Sequence, residues 1–303
     1  MDRLLVFGAT GFVGTHVTAR RRVELRSRPI EILTAPGDLD IRDEKGVLRL
    51  LSDARPAYVL HLAAQTFVPE SFGDPRRTFD VNLIGTFNVL QALRATAFAG
   101  RMIYVSTGEV YGRVAEEALP ISESLLTWPF NPYAVSKLAA EALCYQWSQT
   151  EGLDIIIARP FNHIGPGQSD KFVVSGFAHQ IAQIRKGRMA PVLSVGDIDV
   201  TRDFLDVEDV VSAYFALFDS APAAEVYNVS SGVERRIRDV LDDLLRIAGV
   251  EARIEGDAAR LRPNEQRRVV ASAQKLRDQT GWAPVVPFET SIERVLAYWE
   301  ART

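Results

Sequence analysis

The chain has 303 residues, of which 47% are hydrophobic and 24% charged, an ordinary globular composition that is sufficient for one large core or two unequal ones. The formal net charge is −4 with both signs scattered along the chain, which argues against a nucleic acid or an anionic membrane as the main partner. The single cysteine, Cys144, excludes an intramolecular disulfide framework, and no apolar run approaches the roughly 20 residues of a membrane-spanning helix. The first apolar run ends in glycine and has no cleavage site, so we expect a buried strand there, no signal peptide and a cytoplasmic protein.

Short β-branched runs alternate with helical patterns through the first half of the chain. The predicted strands cover residues 4–7, 30–33, 58–63, 102–106 and 155–160. A predicted helix between them, over residues 74–95, has Phe79, Leu83, Phe87 and Leu90 at spacings of three and four on one face. This alternation predicts an α/β fold in which helices cover both faces of a doubly wound parallel sheet.

The composition changes after residue 160. A Gly/Pro-rich loop over 161–168 precedes a helix, a strand near 190–196, an amphipathic helix over 202–218 and a returning strand at 225–231. We therefore expect two domains. The first comprises residues 1–160 plus about 203–230, and the smaller second comprises about 161–202 plus 231–303.

Three glycines stand at three-residue spacing directly after the first strand and before a helix. Gly8, Gly11 and Gly14 leave backbone N–H groups and the helix N-terminus free to meet a pyrophosphate, which predicts a Rossmann-type dinucleotide site; a tight strand-to-helix turn is the alternative. Thr34, Ala35 and Pro36 occupy the end of the second strand, where NAD-binding proteins carry an acid. This favours NADPH, or tolerance of NADPH and NADH, although the arginines at 20–22 are equally well explained as a solvated helix end.

A tyrosine and a lysine lie one turn apart on a later helix. Asn131 is a suitable N-cap, Pro132 suits the first helical position, and Tyr133 and Lys137 then share a face. A neighbouring ammonium stabilises a phenolate, which lets Tyr133 exchange a proton with a substrate oxygen. Thr107, in a polar turn after a strand, is placed to donate a hydrogen bond to the same oxygen.

These segments together resemble the extended short-chain dehydrogenase/reductase family over essentially the whole chain. The matching segments are the glycine loop, HLAAQ at 61–65, NLIGT at 82–86, STGEVYG at 106–112, the Tyr-x-x-x-Lys helix and RPFNHIGPGQ at 159–168. The resemblance implies that Thr107 and Tyr133 bind the reacting oxygen and that Lys137 holds the nicotinamide ribose. The implied cofactor contacts are Gly8, Gly11, Phe12, Val13, Gly14, Asp40, Ile41, Leu62, Ala63, Ala64, Tyr133, Lys137 and Pro160.

Within that family, the chain resembles bacterial reductases of GDP-linked 4-keto-6-deoxy sugars, through segments such as AAQTFVPESFGDP and RLRPNEQRR. The reaction implied is reduction of the C4 keto group of GDP-4-dehydro-6-deoxy-D-mannose to GDP-D-rhamnose by NAD(P)H, with the second domain binding the sugar nucleotide. The resemblance also implies a homodimer, formed through the Tyr133 helix and the helix near 75–97, and we expect no metal. The implied substrate contacts are Gln65, Ser71, Thr107, Glu109, Asn162, Arg202, Arg262 and Glu265, with Glu109 also a candidate acid/base.

Two alternatives stay open. The first is a 4,6-dehydratase or C4 epimerase of the same family, against which Gly108 speaks because many dehydratases carry an acid there. A cysteine-dependent epimerisation has no obvious acid/base pair, since Cys144 lies on the helix beyond Lys137. The second alternative is a non-catalytic NAD(P)-sensing module, against which the complete Thr107, Tyr133 and Lys137 set argues.

Overall fold

The computed structural model describes residues 1–20, 22–258 and 266–303, and in this part of the chain a seven-stranded sheet forms the centre of the protein. The strands are β1 (Asp2–Phe7), β2 (Arg22–Leu25), β3 (Arg28–Thr34), β4 (Tyr58–His61), β5 (Arg101–Val105), β6 (Asp154–Pro160), β7 (Asn162–Ile164), β8 (Val192–Val195), β9 (Thr201–Asp206), β10 (Val226–Val229), β11 (Glu234–Arg236) and β12 (Arg253–Gly256). The helices are α1 (Phe12–Ala19), α2 (Glu44–Ala54), α3 (Val68–Gly73), α4 (Pro75–Phe79), α5 (Gly85–Ala95), α6 (Pro132–Glu151), α7 (Val173–Arg185), α8 (Val207–Ser220), α9 (Ile237–Ala248), α10 (Gln274–Thr280) and α11 (Phe288–Glu300).

The large sheet has the order β10-β6-β5-β4-β1-β3-β2. Every neighbouring pair in it is parallel except β2 with β3, which form an antiparallel hairpin at one edge. The chain leaves the sheet after β6 and returns to it as β10, so the strands at both ends of that excursion are neighbours. The predicted doubly wound α/β fold is confirmed.

Helices cover both faces of this sheet with separate apolar layers. One layer joins α1, α8 and α10 to the sheet, with Val17, Tyr214 and Leu276 among its buried side chains. The other joins α2, α5 and α6, with Leu51 and Leu90 in its centre. Strands buried on both faces need apolar side chains in successive positions, and the buried parts of β1 and β4, residues 4–7 and 58–60, are accordingly short continuous apolar runs.

The excursion and the C-terminal part build a second, smaller core. Helices α7, α9 and α11 pack together over β8 and β9, around Phe177, Leu241 and Leu296. Two small sheets border it, with the orders β11-β9-β7 and β12-β8. No helix in the described ranges is long and apolar enough to cross a membrane.

One local prediction is wrong. Residues 202–206, expected to begin a helix, belong to β9, and α8 begins only after Asp206, whose carboxylate accepts a hydrogen bond from the Glu208 amide at 2.8 Å. The error arises because the apolar residues of β9 are contiguous with those of the helix, so the pattern alone does not show where the period changes. The helix expected over 74–95 is confirmed, since α4, a π-helical turn at Asp80–Ile84 and α5 follow one another without a break.

Candidate active site

A cleft of about 1750 Å³ runs along the carboxyl ends of the central strands. Segments that directly follow β1, β4, β5 and β6 line one wall, because the carboxyl ends of parallel strands meet at one edge of a sheet. Side chains from the part of the chain between β6 and β10, including Phe177 and Arg202, line the other wall. This edge is where α/β proteins of this topology bind nucleotides.

The glycine loop forms a narrow end of the cleft. Gly8 has a φ of +80°, and a Cβ there would lie 2.7 Å from the backbone nitrogen of Ala63. A Cβ on Gly14 would lie 2.2 Å from the Gly8 carbonyl oxygen. Gly11 is the N-cap of helix α1 and has no side chain to accept a hydrogen bond, so the first amides of the helix are left to another acceptor. These features fit the pyrophosphate of a dinucleotide.

Most of the predicted cofactor contacts lie on the wall of the cleft. They are Gly8, Gly11, Phe12, Val13, Gly14, Ile41, Leu62, Ala63, Ala64, Tyr133 and Pro160.

Asp40, a further predicted cofactor contact, pairs with a neighbouring arginine. Its carboxylate accepts hydrogen bonds of 2.6–3.0 Å from the Arg42 guanidinium, and these bonds lower the pKa of Asp40. The side chain is 46% exposed and does not line the cleft, whereas the neighbouring Ile41 does. Arg20, from the arginine run considered for a 2′-phosphate, pairs instead with Glu208 on α8 at 3.0 Å.

Thr107, Tyr133 and Lys137 come together where β5 ends and α6 begins. Asn131 caps α6 by accepting a hydrogen bond from the Ala134 amide at 2.7 Å, which sets the start of the helix that carries Tyr133 and Lys137. The Thr107 side chain is close enough to the Tyr133 phenol to oppose the rise in the pKa of Tyr133 that burial causes. All three predicted residues are buried, with exposed fractions of 7%, 7% and 3%.

Burial controls the protonation of this group. It raises the pKa of Tyr133 above its usual range, so the phenol keeps its proton at neutral pH. The same desolvation lowers the pKa of Lys137 to about 7, against the opposing effects of Cys144 and Glu141. Lys137 lies one turn deeper than Tyr133, off the cleft wall, with its ammonium 4.3 Å from the centroid of the Tyr104 ring.

The structure contains a polar cluster next to the triad of Thr107, Tyr133 and Lys137 that the sequence analysis did not predict. Asn82, in the π-helical turn, accepts from the Gln65 amide at 2.8 Å and donates to the Ser136 hydroxyl at 2.9 Å, so it ties the loop after β4 to α6. His61 is buried at the end of β4, with Nε2 3.0 Å from the Thr86 hydroxyl. Burial first, and then the positive charge of Lys137, lower the pKa of His61 to about 3. Asn82 could have been identified from the sequence as a polar residue within an otherwise apolar segment of the predicted helix.

The predicted substrate residues divide into three groups. Thr107, Glu109, Asn162 and Arg202 line the cleft. Glu109 is held there by the Asn131 amide, which donates to its Oε2 at 3.1 Å. Arg202 donates to the carbonyl oxygens of Thr201 at 2.6 Å and Gln266 at 3.0 Å.

Gln65 and Ser71 do not reach the cleft. Gln65 donates from its side chain to the Phe67 carbonyl at 2.8 Å, and the fully buried Ser71 donates to the Val68 carbonyl at 2.7 Å. Both therefore shape the loop whose aromatic residues line the wall. The third group, Arg262 and Glu265, lies outside the described residues.

The ring of Phe161 packs directly against Gly108. A Cβ at this position would lie 2.7–2.8 Å from three atoms of the Phe161 ring. Phe161 in turn stacks on Tyr111, with ring centroids 6.2 Å apart and an interplanar angle of 20°. Glu109 is consequently the carboxylate that this turn presents to the cleft.

Comparison with known proteins agrees with this geometry. A family model described as GDP-mannose 4,6 dehydratase matches residues 34–295. The chain is 51% identical to GDP-6-deoxy-D-mannose reductase of Pseudomonas aeruginosa, over 99% of this chain and 98% of that protein. It superposes on the structure of RMD from Pseudomonas aeruginosa complexed with NADPH with a TM-score of 0.94, at 49% identity and over 100% of both chains.

A more distant similarity has the same extent. UDP-glucose 4-epimerase of Thermus thermophilus, in complex with NAD, has a TM-score of 0.85 at 30% identity, with 99% of this chain and 100% of that chain covered. The shared family model, the full-length similarity and the Thr107, Tyr133 and Lys137 geometry lead to one conclusion. The chain belongs to the GDP-mannose 4,6-dehydratase family of extended short-chain dehydrogenases/reductases.

Proposed function

We propose that this protein reduces the C4 keto group of GDP-4-dehydro-6-deoxy-D-mannose to the hydroxyl of GDP-6-deoxy-D-mannose, which is GDP-D-rhamnose. The observation that carries the proposal is the 51% identity, over nearly the full length of both chains, to a GDP-6-deoxy-D-mannose reductase. NADPH is the proposed reductant, because the similar RMD structure is a complex with NADPH. The neutral residues at 34–37, at the end of β3 and directly after it, do not oppose an additional use of NADH.

The glycine loop and the segment at 62–64 would hold the dinucleotide, which supplies the hydride when bound. Tyr133 donates its proton to O4 as C4 receives the hydride, so the ketone becomes an alcohol. The buried Tyr133 phenol holds a proton at neutral pH, as a reduction requires. The Thr107 hydroxyl stabilises the negative charge that develops on O4, and the ammonium of Lys137 stabilises the phenolate left on Tyr133.

The remaining walls of the cleft are suited to a sugar diphosphate. Glu109, fixed by Asn131, is placed to accept hydrogen bonds from hexose hydroxyls near the reacting carbon. Arg202 and Asn162 face the cleft from the second domain, where a cation and an amide suit phosphate oxygens. We propose Arg262 and Glu265 as further nucleotide contacts on the family resemblance alone.

A 4,6-dehydratase is the second candidate, because the matching family model carries that description. Removal of water from a hexose needs one group that takes a proton from carbon and another that gives a proton to the leaving hydroxyl. Phe161 occupies the space beside Gly108, where a second carboxylate would have to stand. The site therefore favours reduction.

The test follows the absorbance of NADPH during turnover of GDP-4-dehydro-6-deoxy-D-mannose, which a GDP-mannose 4,6-dehydratase generates in situ. We expect one NADPH oxidised per GDP-6-deoxyhexose formed, and a loss of roughly 10²- to 10⁴-fold in kcat for Tyr133→Phe. Tyr145→Phe is the matched control, since Tyr145 lies on the same helix but is 56% exposed. In a separate reaction without the added dehydratase, turnover of GDP-mannose with no oxidation of NADPH would instead support the dehydratase.

Assembly and location are also part of the proposal. We propose a homodimer formed through α5 and α6, and exposed apolar side chains at Val135 and Tyr145 on α6 are compatible with such a face. Light scattering during gel filtration tests it, with a monomer mass as the contradicting result. A cytoplasmic location is proposed because the buried Cys144 is a free thiol.

A further inference from the structure

A buried ion pair lies directly behind the reactive groups. The Arg159 guanidinium donates to the Glu141 carboxylate through Nε at 3.0 and 3.3 Å and through Nη2 at 2.6 Å. The two side chains are 8% and 4% exposed. Desolvation of two charges largely cancels their attraction, so such a pair contributes little net stability compared with well-packed apolar side chains. Its position therefore calls for another explanation.

The pair lies between the two elements that carry the triad. Glu141 is on α6, one turn beyond Lys137 and two turns beyond Tyr133, and all three share the buried face of the helix. Arg159 is on β6, with its guanidinium 4.8 Å from the centroid of the Tyr111 ring. Tyr111 closes the short helical turn Gly108–Tyr111, whose N-cap is Thr107.

Two further residues, Asn228 and Phe161, contact Tyr111 and so fix the turn that Thr107 caps. The Tyr111 hydroxyl donates to Asn228 Oδ1 at 2.7 Å, and Asn228 lies on β10. Phe161 stacks on the Tyr111 ring and closes over Gly108. Contacts thus connect the Thr107 turn to α6. Tyr111 of that turn packs against Arg159, and Arg159 is hydrogen-bonded to Glu141 on the helix that carries Tyr133.

We infer that Arg159 and Glu141 are positioning residues, which hold Tyr133 and Lys137 of α6 against Thr107 for proton transfer to the substrate. The inference rests on the proposed function, and it assigns this pair to the reaction and not to the stability of the sheet. A misplacement of about 1 Å between reacting groups costs on the order of 100-fold in rate, so the pair matters even without contact to substrate.

Glu141 also acts on the charge of Lys137. The titratable groups that influence this ammonium are Glu141 and Cys144 on α6, His61 on β4 and Tyr104 on β5. The carboxylate of Glu141 opposes the desolvation that lowers the pKa of Lys137. Loss of its charge should therefore move the proton loss of Lys137 to lower pH, together with the alkaline limb of kcat.

The experiment compares Glu141→Gln and the double variant Glu141→Leu/Arg159→Met with the wild type. The double variant replaces the pair by apolar side chains of similar volume, which keeps the fold even where Glu141→Gln leaves Arg159 poorly paired. The matched control is Asp154→Asn, which weakens the Arg101–Asp154 pair at 2.9 Å. That pair joins β5 to β6 at the opposite end of the same strands.

We expect kcat to fall roughly 10- to 100-fold in both Glu141 variants, with KM for the substrate little changed and the alkaline limb at lower pH. The control should lower Tm and leave the kcat profile unchanged. Lysines labelled with ¹³C at Cε, with Lys137 identified through Lys137→Arg, report the same titration without substrate. A wild-type kcat profile and Lys137 titration in both variants would overturn the inference, whereas a wild type inactive toward the substrate would refute the proposed function alone.

Discussion

Replacement of Lys137 by methionine should stabilise the fold while it abolishes the reaction. Burial lowers the pKa of Lys137 from its ordinary value of 10.5 to about 7. Between these values the unfolded chain carries a proton that the folded protein has largely lost, so the free energy of unfolding rises with pH across this window. The difference of about 3.5 pH units corresponds to about 4 kcal/mol of destabilisation at pH 7, since one unit is worth about 1.4 kcal/mol.

Lys137→Met removes this cost and also removes the cation–π contact with Tyr104, which is worth about 2 kcal/mol in a desolvated site. We expect a net gain on the order of 2 kcal/mol at pH 7. The assay is urea unfolding of both proteins at pH 6.5, 7.5 and 8.5. The wild type should gain about 1 kcal/mol relative to the variant between pH 7.5 and 8.5, because the unfolded chain then still carries a proton that the folded lysine has lost.

Tyr133→Phe is the control, because it removes the reaction but leaves Lys137 in place, and it should keep the wild-type dependence on pH. Parallel stability curves for the wild type and Lys137→Met would refute the argument. So would a variant less stable than the wild type at pH 7. Either result would mean that the surroundings of Lys137 solvate its charge better than the buried geometry indicates.

Two further predictions use glycines in the site. Gly14→Ala should raise the dissociation constant for NADPH at least roughly 10-fold, because its Cβ would lie 2.2 Å from the Gly8 carbonyl oxygen; Gly73→Ala, where a Cβ meets nothing within 4 Å, is the control, and fluorescence titration checks both. Gly108→Ala should cost about 1–3 kcal/mol in urea unfolding through overpacking against Phe161, and Phe161→Leu should recover part of that loss. Additive effects of these two changes would contradict the proposed clash.

Local spacing explains why much of the site was predictable. A helix brings residues four apart onto one face, so the relation of Tyr133 to Lys137 follows from the Asn131 cap and the helical period. The three glycines lie within seven residues, and their turn is likewise set by nearby atoms. Parallel strands place their carboxyl ends together, which brings Thr107 to the same edge as the glycine loop.

The missed elements lacked a local signal. The hairpin of β2 and β3 turns at Arg26 and Ser27, with φ of 50° and 59°, and neither residue is the glycine or asparagine that normally marks such a turn. The ion pair of Asp40 with Arg42, two residues away, was not predicted either. Both outcomes depend on competition between neighbours that a motif does not record.

The sequence by itself determined the alternation of strands and helices in the first half of the chain, the glycine loop and the Tyr133 helix, because short-range sterics and helical periodicity govern them. The tertiary structure decided the contacts between distant segments: Glu141 with Arg159, Asn131 with Glu109, and Phe161 over Gly108. These partners are between 18 and 53 positions apart. Only the packing of helices on the sheet brings them within a few ångströms, and their energies depend on burial that no local pattern measures.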